Sequence, residues 1–193
     1  MLRPHNERDI LVAKFEIEHE DVFHLKNLYK KIHDWFIEEE FLDPDGFVDK
    51  FETLYWERIK PNGAHEHHIW WRTQKIPYAN KYYRYVVRLD IQTLNMKPFE
   101  VLVNGQKMGT NKGDVILRME AWLQLDFKNK WQNHWFLKHF DQMFRTRIIY
   151  KQIEAYKKDL YDASYRIQNK MKRWLELKTP YPMMRDFHPE RGV

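Results

Sequence analysis

The spacing of the histidines in this sequence suggests metal binding. Three of the ten histidines fall within four positions, in the run His65-Glu66-His67-His68. On a β-strand, His65 and His67 would share one face, and imidazole next to carboxylate suits zinc or nickel. The run matches no spaced metal motif such as HExxH, and polar residues are ordinary at a strand edge. We therefore assign no metal and no cofactor here, and retain His65 and His67 only as candidate ligands.

Motifs for enzymatic catalysis do not occur in the chain. It has no cysteine, which excludes a thiolate nucleophile, a disulfide and a thiolate metal site. Its six glycines form no nucleophile elbow, phosphate-binding loop or dinucleotide fingerprint. Polar pairs at helical spacing, such as Asp34 with Glu38 and His134 with Asp141, are explained by a solvated helix face. We therefore name no catalytic residue and favour a non-catalytic protein.

Aromatic and basic residues are interleaved over residues 127–147. This mixture suits a membrane interface or stacked nucleic-acid bases. The alternative, which we favour, is that the aromatic side chains close or line a pocket of the fold. The residues concerned are Trp131, Trp135, Phe136, Phe140, Met143 and Phe144 among the apolar ones, and Lys128, Lys130, Lys138, Arg145 and Arg147 among the basic ones.

The net charge of +5 is unevenly distributed along the chain. Residues 7–52 carry 14 acidic and 6 basic side chains, a net charge of −8, whereas residues 138–178 carry a net charge of +6. We favour the interpretation that the acidic region packs against the basic one. The alternative is a basic face that binds a polyanion. Its candidate residues are Arg145, Arg147, Lys151, Lys157, Lys158, Lys170 and Arg173.

The sequence contains no stretch that is long and apolar enough to cross a membrane. Residues 1–9 are polar and do not resemble a signal peptide. Because the absence of cysteine also fits a reducing compartment, we expect a cytoplasmic protein. Peripheral contact with a membrane stays open as an alternative.

Hydrophobic periodicity predicts the elements that position these residues. Alternation over residues 11–18 predicts a strand, and helical spacing over residues 21–41 predicts a helix with Asp21 as its N-cap. The Asn104-Gly105 pair predicts a hairpin, and the glycines of residues 109–114 predict another turn. Further strands are predicted over residues 51–59, 68–76, 83–92, 99–103, 106–108 and 115–125.

The C-terminal part of the chain predicts a long amphipathic helix. Apolar residues from Ile149 to Trp174 recur every three or four positions, and no proline or glycine occurs over residues 133–178. A helix of that length would exceed one sheet, so we expect either a break near residues 144–147 or an end that protrudes beyond the sheet. We predict one domain over residues 1–178, followed by an irregular, proline-containing tail over residues 179–193.

Strands joined by tight turns are antiparallel neighbours. We therefore predict an α+β fold, in which an antiparallel sheet of five to seven strands wraps around the C-terminal helix, with one helix after the first strand. This order of elements resembles the helix-grip architecture of the START and Bet v 1-like superfamily over residues 10–178. That family usually has two short helices after its first strand. The segments MGTNKGDVILRMEAWLQLDF and WFLKHFDQMFRTRIIYKQIEAYKKDLY are also similar to archaeal proteins of unknown function.

The helix-grip resemblance implies an apolar pocket between the sheet and the C-terminal helix. Our leading hypothesis is non-catalytic binding of a lipid-like or aromatic small molecule in that pocket. The first alternative is binding of RNA or a ribonucleoprotein, such as the ribosome, through the basic C-terminal helix. The second is a protein-interaction module that uses the long helix. The candidate pocket residues are Tyr83, Tyr85, Trp122, Phe136, Phe140, Ile153 and Tyr156.

Overall fold

The computed structural model describes residues 8–47, 50–103 and 106–175. The predicted tail over residues 179–193 and the Asn104-Gly105 pair lie outside the described residues. The strands are β1 (Ile10–Phe23), β2 (Glu52–Ile59), β3 (His65–Lys75), β4 (Tyr83–Val103) and β5 (Gln106–Leu125). The helices are α1 (Leu25–Glu38), the single turn α2 (Asp141–Met143) and α3 (Tyr150–Trp174), with 3-10 turns at Pro77–Ala79 and Leu137–His139 and a π turn at Phe144–Ile148.

The five strands form one sheet in the order β1-β5-β4-β3-β2. Every neighbouring pair is antiparallel. The prediction of an α+β fold with an antiparallel sheet and a C-terminal helix is therefore confirmed. Among the described residues, no helix is long and apolar enough to cross a membrane.

Both long helices pack on the same face of the sheet, which we call the inner face. Trp71, Leu89, Met119 and Phe15 occupy one row across four strands, so their side chains share that face. Trp71 meets Tyr29 of α1 with ring centroids 4.8 Å apart, and Phe15 contacts α3. Burying each large apolar side chain in this layer contributes about 1.5–3 kcal/mol. The core therefore lies between the sheet and the two helices.

The opposite, outer face of the sheet carries charged side chains in solvent. Lys14 pairs with Glu120 at 3.0 Å, and Arg118 pairs with Glu16 at 2.9 Å. Because water screens such exposed pairs, they contribute little to stability. The alternation of apolar inner and charged outer positions is the period of two that the sequence displays.

The apolar stripe of α3 faces the core, as predicted. Leu160, Ile167 and Met171 are fully buried, and Tyr156 and Trp174 are partly buried against the core. The expected break also occurs, because the π turn at Phe144–Ile148 separates α3 from the preceding irregular segment. A π turn changes the direction in which side chains project. The stripe and the segment before it can therefore face different surroundings.

The predicted turn over residues 109–114 is wrong, because these residues belong to β5. They pair with β4 on one side and, from Asn111 onwards, with β1 on the other. Gly113 is required there for close packing rather than for a turn. A Cβ atom at Gly113 would lie 2.7 Å from Met96 Cα and 2.9 Å from the Leu94 carbonyl oxygen. Those atoms belong to an irregularity in β4, where the register with β5 shifts.

Two other local predictions can be compared with the structure. Asp21 is not the N-cap of α1, because β1 continues to Phe23 and the cap is His24, whose Nδ1 accepts a hydrogen bond from the Asn27 backbone. The backbone of β1 stays extended past Asp21 because it continues to pair with β5 as far as Phe23. In the β4–β5 hairpin, Val103 pairs with Gln106. This leaves two residues between the strands, the length that an Asn-Gly turn requires.

Candidate functional site

Four of the seven predicted pocket residues meet between the sheet and α3. Tyr83 and Tyr85 are 2% and 1% exposed, and the Tyr83 and Tyr156 rings lie 4.3 Å apart. The Tyr85 hydroxyl donates a hydrogen bond to Asp159 at 2.9 Å. Burial raises the pKa of Tyr83 to about 12, and it also raises the pKa of Tyr85. Tyr83 and Tyr85 are therefore neutral, and these two side chains pack with Tyr156 and Ile153 in the core.

The other three predicted pocket residues lie elsewhere, which corrects the prediction for them. Trp122 is on the outer face, because its neighbours Ala121 and Leu123 point into the core. Phe136 and Phe140 are 47% and 41% exposed, in the segment before α3. Periodicity could not locate these two residues, since the segment that carries them has no regular period.

A cleft of about 430 Å³ opens beside the tyrosine cluster. The cleft is lined by the loop after α1, by the end of β3 and by α3. Tyr78, which is 85% exposed, lies at its border. Tyr78 has a φ of 51°, a left-handed conformation that is strained for a bulky residue. The size suits a small-molecule site. The lining mixes apolar and charged side chains, with Leu42, Ile76 and Pro77 beside Glu40, Lys75 and Asp159.

The seven candidate polyanion-binding residues do not form one free basic surface. Lys170 pairs with Glu38 at the end of α1, and nearby Arg166 pairs with Glu39 at 2.7 Å. The acidic end of α1 therefore neutralises part of α3, as the favoured interpretation of the charge distribution expects. Lys157 pairs with Glu154, and Arg145 with Asp141. Within the described part of the chain, Arg147, Lys151, Lys158 and Arg173 form no ion pair.

Residues 127–151, which we call the aromatic–basic segment, are anchored at their start by a buried ion pair. Asp126 is 2% exposed and pairs with Arg8 at 3.1 Å. Its carboxylate also accepts hydrogen bonds from the backbone N–H groups of Lys130 and Trp131, at 2.9 and 3.0 Å. Arg8 additionally donates to the Asn129 side chain. Backbone and side-chain donors thus converge on one carboxylate, which fixes the first turn of the segment.

A second anchor holds the middle of the segment against the sheet. Trp131 stacks on Phe144 with ring centroids 4.1 Å apart, and both rings contact Tyr82 edge-on. Asp141 is 4% exposed and lies 3.1 Å from Arg145. Burial, with a smaller effect from Asp141, raises the pKa of Tyr82. The Tyr82 hydroxyl therefore stays protonated beneath the segment.

Between Trp131 and Phe144, the two stacked residues of the second anchor, the segment presents a cluster of exposed aromatic rings. Trp135 is 78% exposed, and its ring lies 5.5 Å from that of Phe136, which in turn lies 4.8 Å from Phe140. These three rings therefore do not lie inside a pocket between the sheet and α3, and the alternative that they close its mouth stays a prediction. The segment carries six Lys or Arg and one Asp, a net charge of +5. Its other exposed large apolar residues are Met143, Ile148 and Tyr150.

His65 and His67 lie on the inner face of β3, as the alternation predicts. The structure adds Glu57 from β2, whose carboxylate lies between the two imidazoles. A hydrogen bond from His65 lowers the pKa of Glu57, and burial lowers the pKa of His67. Sequence analysis missed Glu57 because its proximity depends on the register of β2 against β3.

Comparisons with known proteins add no further assignment to this geometry. No protein-family model matches the chain, and the search of curated proteins finds no match. Function is therefore argued from the surfaces and side-chain clusters described above.

Proposed function

We propose that this protein attaches peripherally to anionic membrane surfaces through the aromatic–basic segment. The observation that carries the proposal is the contacting, exposed cluster of Trp135, Phe136 and Phe140 within a segment of net charge +5. Contiguous exposed apolar side chains on a soluble domain usually mark a binding site. Positive charge around them matches the negative surface of a membrane rich in acidic lipids.

The types and packing of the exposed side chains favour lipid over nucleic acid. Stacking of bases requires open aromatic faces, and the Phe136 ring is already in tilted contact with two other rings, those of Trp135 and Phe140. Met143 and Ile148 are 44% and 64% exposed and offer no ring at all. All of these side chains gain from entering the apolar boundary of a bilayer, and tryptophan is enriched at that depth.

Two contributions of comparable size support the attachment. Lys128, Lys130, Lys138, Arg147 and Lys151 are exposed, and each basic residue near an anionic surface contributes about 1 kcal/mol. Burial of one large apolar side chain contributes about 1.5–3 kcal/mol at most. Because stable anchoring generally needs two signals, loss of either the charge or the apolar cluster is expected to release the protein.

The anchors described above limit the entropic cost of attachment. Asp126 fixes the start of the segment, and the Trp131–Phe144 stack fixes its middle against Tyr82. The exposed rings are therefore presented from a fixed base, and less ordering entropy is lost on binding.

Vesicle co-sedimentation of the full-length protein tests this proposal. We expect binding to vesicles of phosphatidylcholine with phosphatidylserine, and little binding to phosphatidylcholine alone. The double variant Trp135→Ser, Phe136→Ser should lose binding. The matched control is Trp70→Ser, which changes a tryptophan that is 43% exposed on the outer face. Equal loss in both variants, or no binding to anionic vesicles, would overturn the proposal.

The contribution of charge is tested by reversal of single lysines. Lys138→Glu, within the segment, should weaken binding to anionic vesicles and reduce its dependence on salt. Lys31→Glu is the control, since Lys31 is 55% exposed on α1, outside the segment. Tight, salt-dependent binding of single-stranded RNA that Lys138→Glu abolishes, with no vesicle binding, would favour the nucleic-acid alternative instead.

A second candidate function, binding of a lipid-like or aromatic small molecule, is favoured by the cleft beside the tyrosine cluster. The packing of α3 on the inner face, as in the helix-grip superfamily that the element order resembles, supports this candidate. Ile76→Trp should fill the cleft and abolish Nile red fluorescence enhancement. Ile37→Trp, at a residue 39% exposed on α1, is the control. Equal enhancement in both variants would exclude the cleft as the site.

A further inference from the structure

Three potential metal-binding side chains converge at the β2–β3 edge of the sheet. Glu57 Oε1 lies 2.7 Å from His65 Nδ1 and 3.4 Å from His67 Nε2. One ligand atom from each of the three residues lies within 4.8 Å of the other two. Glu57 and His67 are direct cross-strand partners, and His65 is two positions from His67 on the same face. The convergence therefore follows from the register of two paired strands.

A buried threonine holds His67 in the orientation that a metal ligand needs. The His67 ring is 5% exposed, and its Nδ1 lies 2.8 Å from Thr93 Oγ1 on β4. The same Oγ1 accepts a hydrogen bond from the His67 backbone N–H at 3.0 Å. In the tautomer whose Nδ1–H donates to Thr93, Nε2 has the lone pair that a metal ion on the Glu57 side would need. Metal-binding histidines commonly have such a partner on the second ring nitrogen.

Two of the three donor separations, those from Glu57, are close to the spacing around a small divalent ion, and the third, between the two imidazoles, is within 4.8 Å. Ligand distances of about 2.0–2.2 Å around a tetrahedral zinc ion place neighbouring donors roughly 3.3 Å apart. The separation between Glu57 and His67 already has this value, within 0.1 Å, at 3.4 Å. The His65 contact of 2.7 Å is a hydrogen bond, which an ion would replace. The side chains of His65 and Glu57 are 31% and 39% exposed. They therefore have room to move apart and bind an ion between them.

The local backbone also departs from regular pairing at this point. The register between β3 and β4 shifts between His65 and His67, where Met96 and Thr93 are their respective partners. Strand irregularities of this kind commonly re-aim side chains next to functional sites. Here the extra residue belongs to β4, in the irregularity that also lies against Gly113, and this irregular stretch is next to the two histidines.

We propose that Glu57, His65 and His67 form a binding site for a divalent transition-metal ion, with zinc as the expected occupant. Two imidazoles and one carboxylate are the ligand set of several catalytic zinc sites. Three protein ligands leave a fourth position for water or another small ligand, on the side where Glu57 and His65 reach solvent. This inference is independent of membrane attachment, because the aromatic–basic segment contributes none of the three ligands.

Isothermal titration calorimetry of the chelator-treated, tag-free full-length protein with zinc chloride tests the proposal. We expect one site per chain that is weakened more than about 100-fold by Glu57→Gln or His65→Gln, beyond the usual loss from an outer-shell change. Both residues are partly exposed, so these variants should remain folded. The control is His68→Gln, because His68 is adjacent in sequence but lies against Trp56 on the outer face.

The role of Thr93 gives a second, independent readout. Thr93→Val should weaken zinc binding about 10–100-fold, and Thr93→Ser should restore it by returning the hydroxyl. Cobalt substitution should give the intense visible absorption of a four-coordinate site, and Glu57→Gln should remove it. Zinc affinity that is unchanged in Glu57→Gln, or lost equally in His68→Gln, would overturn the proposal. Absence of any bound zinc in the unmodified protein would also overturn the proposal.

Discussion

The β2–β3 edge of the sheet and the aromatic–basic segment place their side chains by different means. At the sheet edge, Glu57 and His67 face each other because cross-strand register sets every pair. In the segment there is no repeating register, and the Asp126 carboxylate and the Trp131–Phe144 stack fix the chain at two places. A sheet therefore distributes the cost of a substitution over many pairs, whereas the segment depends on single anchors.

The largest effect in this comparison is expected at the segment's first anchor. Asp126→Ala leaves the buried Arg8 guanidinium without its carboxylate and removes the acceptor of backbone N–H groups. Removing one partner of a buried ion pair costs about 3–5 kcal/mol. We expect a loss of this size in the free energy of unfolding measured by urea denaturation, together with weaker vesicle binding.

The matched control for Asp126→Ala is Glu16→Ala on the outer face of the sheet. Glu16 pairs with Arg118, but their side chains are 43% and 46% exposed. Because water screens such an exposed pair, its loss should lower the free energy of unfolding far less than the loss of the buried Asp126–Arg8 pair. If the two variants lost the same free energy of unfolding, Asp126 would not be an anchor of the segment.

A smaller effect is expected where the sheet itself is irregular. Gly113→Ala places a Cβ atom 2.7 Å from Met96 Cα, which belongs to the backbone and cannot rotate away. Overpacking of this kind costs about 1–3 kcal/mol. Gly109→Ala is the control on the same strand, because nothing lies within 4 Å of a Cβ there. Equal urea midpoints for the two variants would contradict the placement of Gly113 against the β4 irregularity.

Gly113 also illustrates how far the sequence predicts this fold. Alternation correctly predicts the regular parts of β1, β4 and β5, and helical spacing correctly predicts the buried stripe of α3. The glycines of residues 109–114 wrongly predict a turn, because the same residue type serves turns and close backbone contacts. Only the partner strand distinguishes these uses. Local pattern therefore predicted the elements, and the pairing between distant strands decided their extent.

The candidate sites show the same division between local and long-range information. The shared face of His65 and His67 follows from a period of two. Glu57 and Thr93 join them only through the registers of β2 and β4, which no local pattern contains. Exposure of Phe136 and Phe140 likewise depends on how the irregular segment folds back. Aromatic residues are usually buried, so composition alone favoured a pocket.

The metal-site residues are expected to matter little for stability in the absence of metal. Glu57→Gln removes a contact between side chains that are 39% and 31% exposed, and such pairs contribute about 0–1 kcal/mol. In chelator-treated protein, we expect the urea midpoint to stay close to that of the unmodified chain. Added zinc should then stabilise the unmodified protein but not Glu57→Gln, because a ligand stabilises only the state that binds it. Equal stabilisation of both proteins by zinc would contradict this expectation.

The smallest effect on stability is expected from the exposed aromatic cluster. Phe136→Ala removes a side chain that is 47% exposed, and substitutions at such surface positions usually change the free energy of unfolding by less than about 0.5 kcal/mol. Phe36→Ala, at a residue that is 0% exposed in α1, should instead cost about 3–5 kcal/mol. Phe136→Ala should nevertheless weaken vesicle binding, because the variant lacks a ring that would otherwise be buried in the bilayer. A large loss of stability in Phe136→Ala would mean that the cluster serves the fold, and the case for membrane attachment would fail with it.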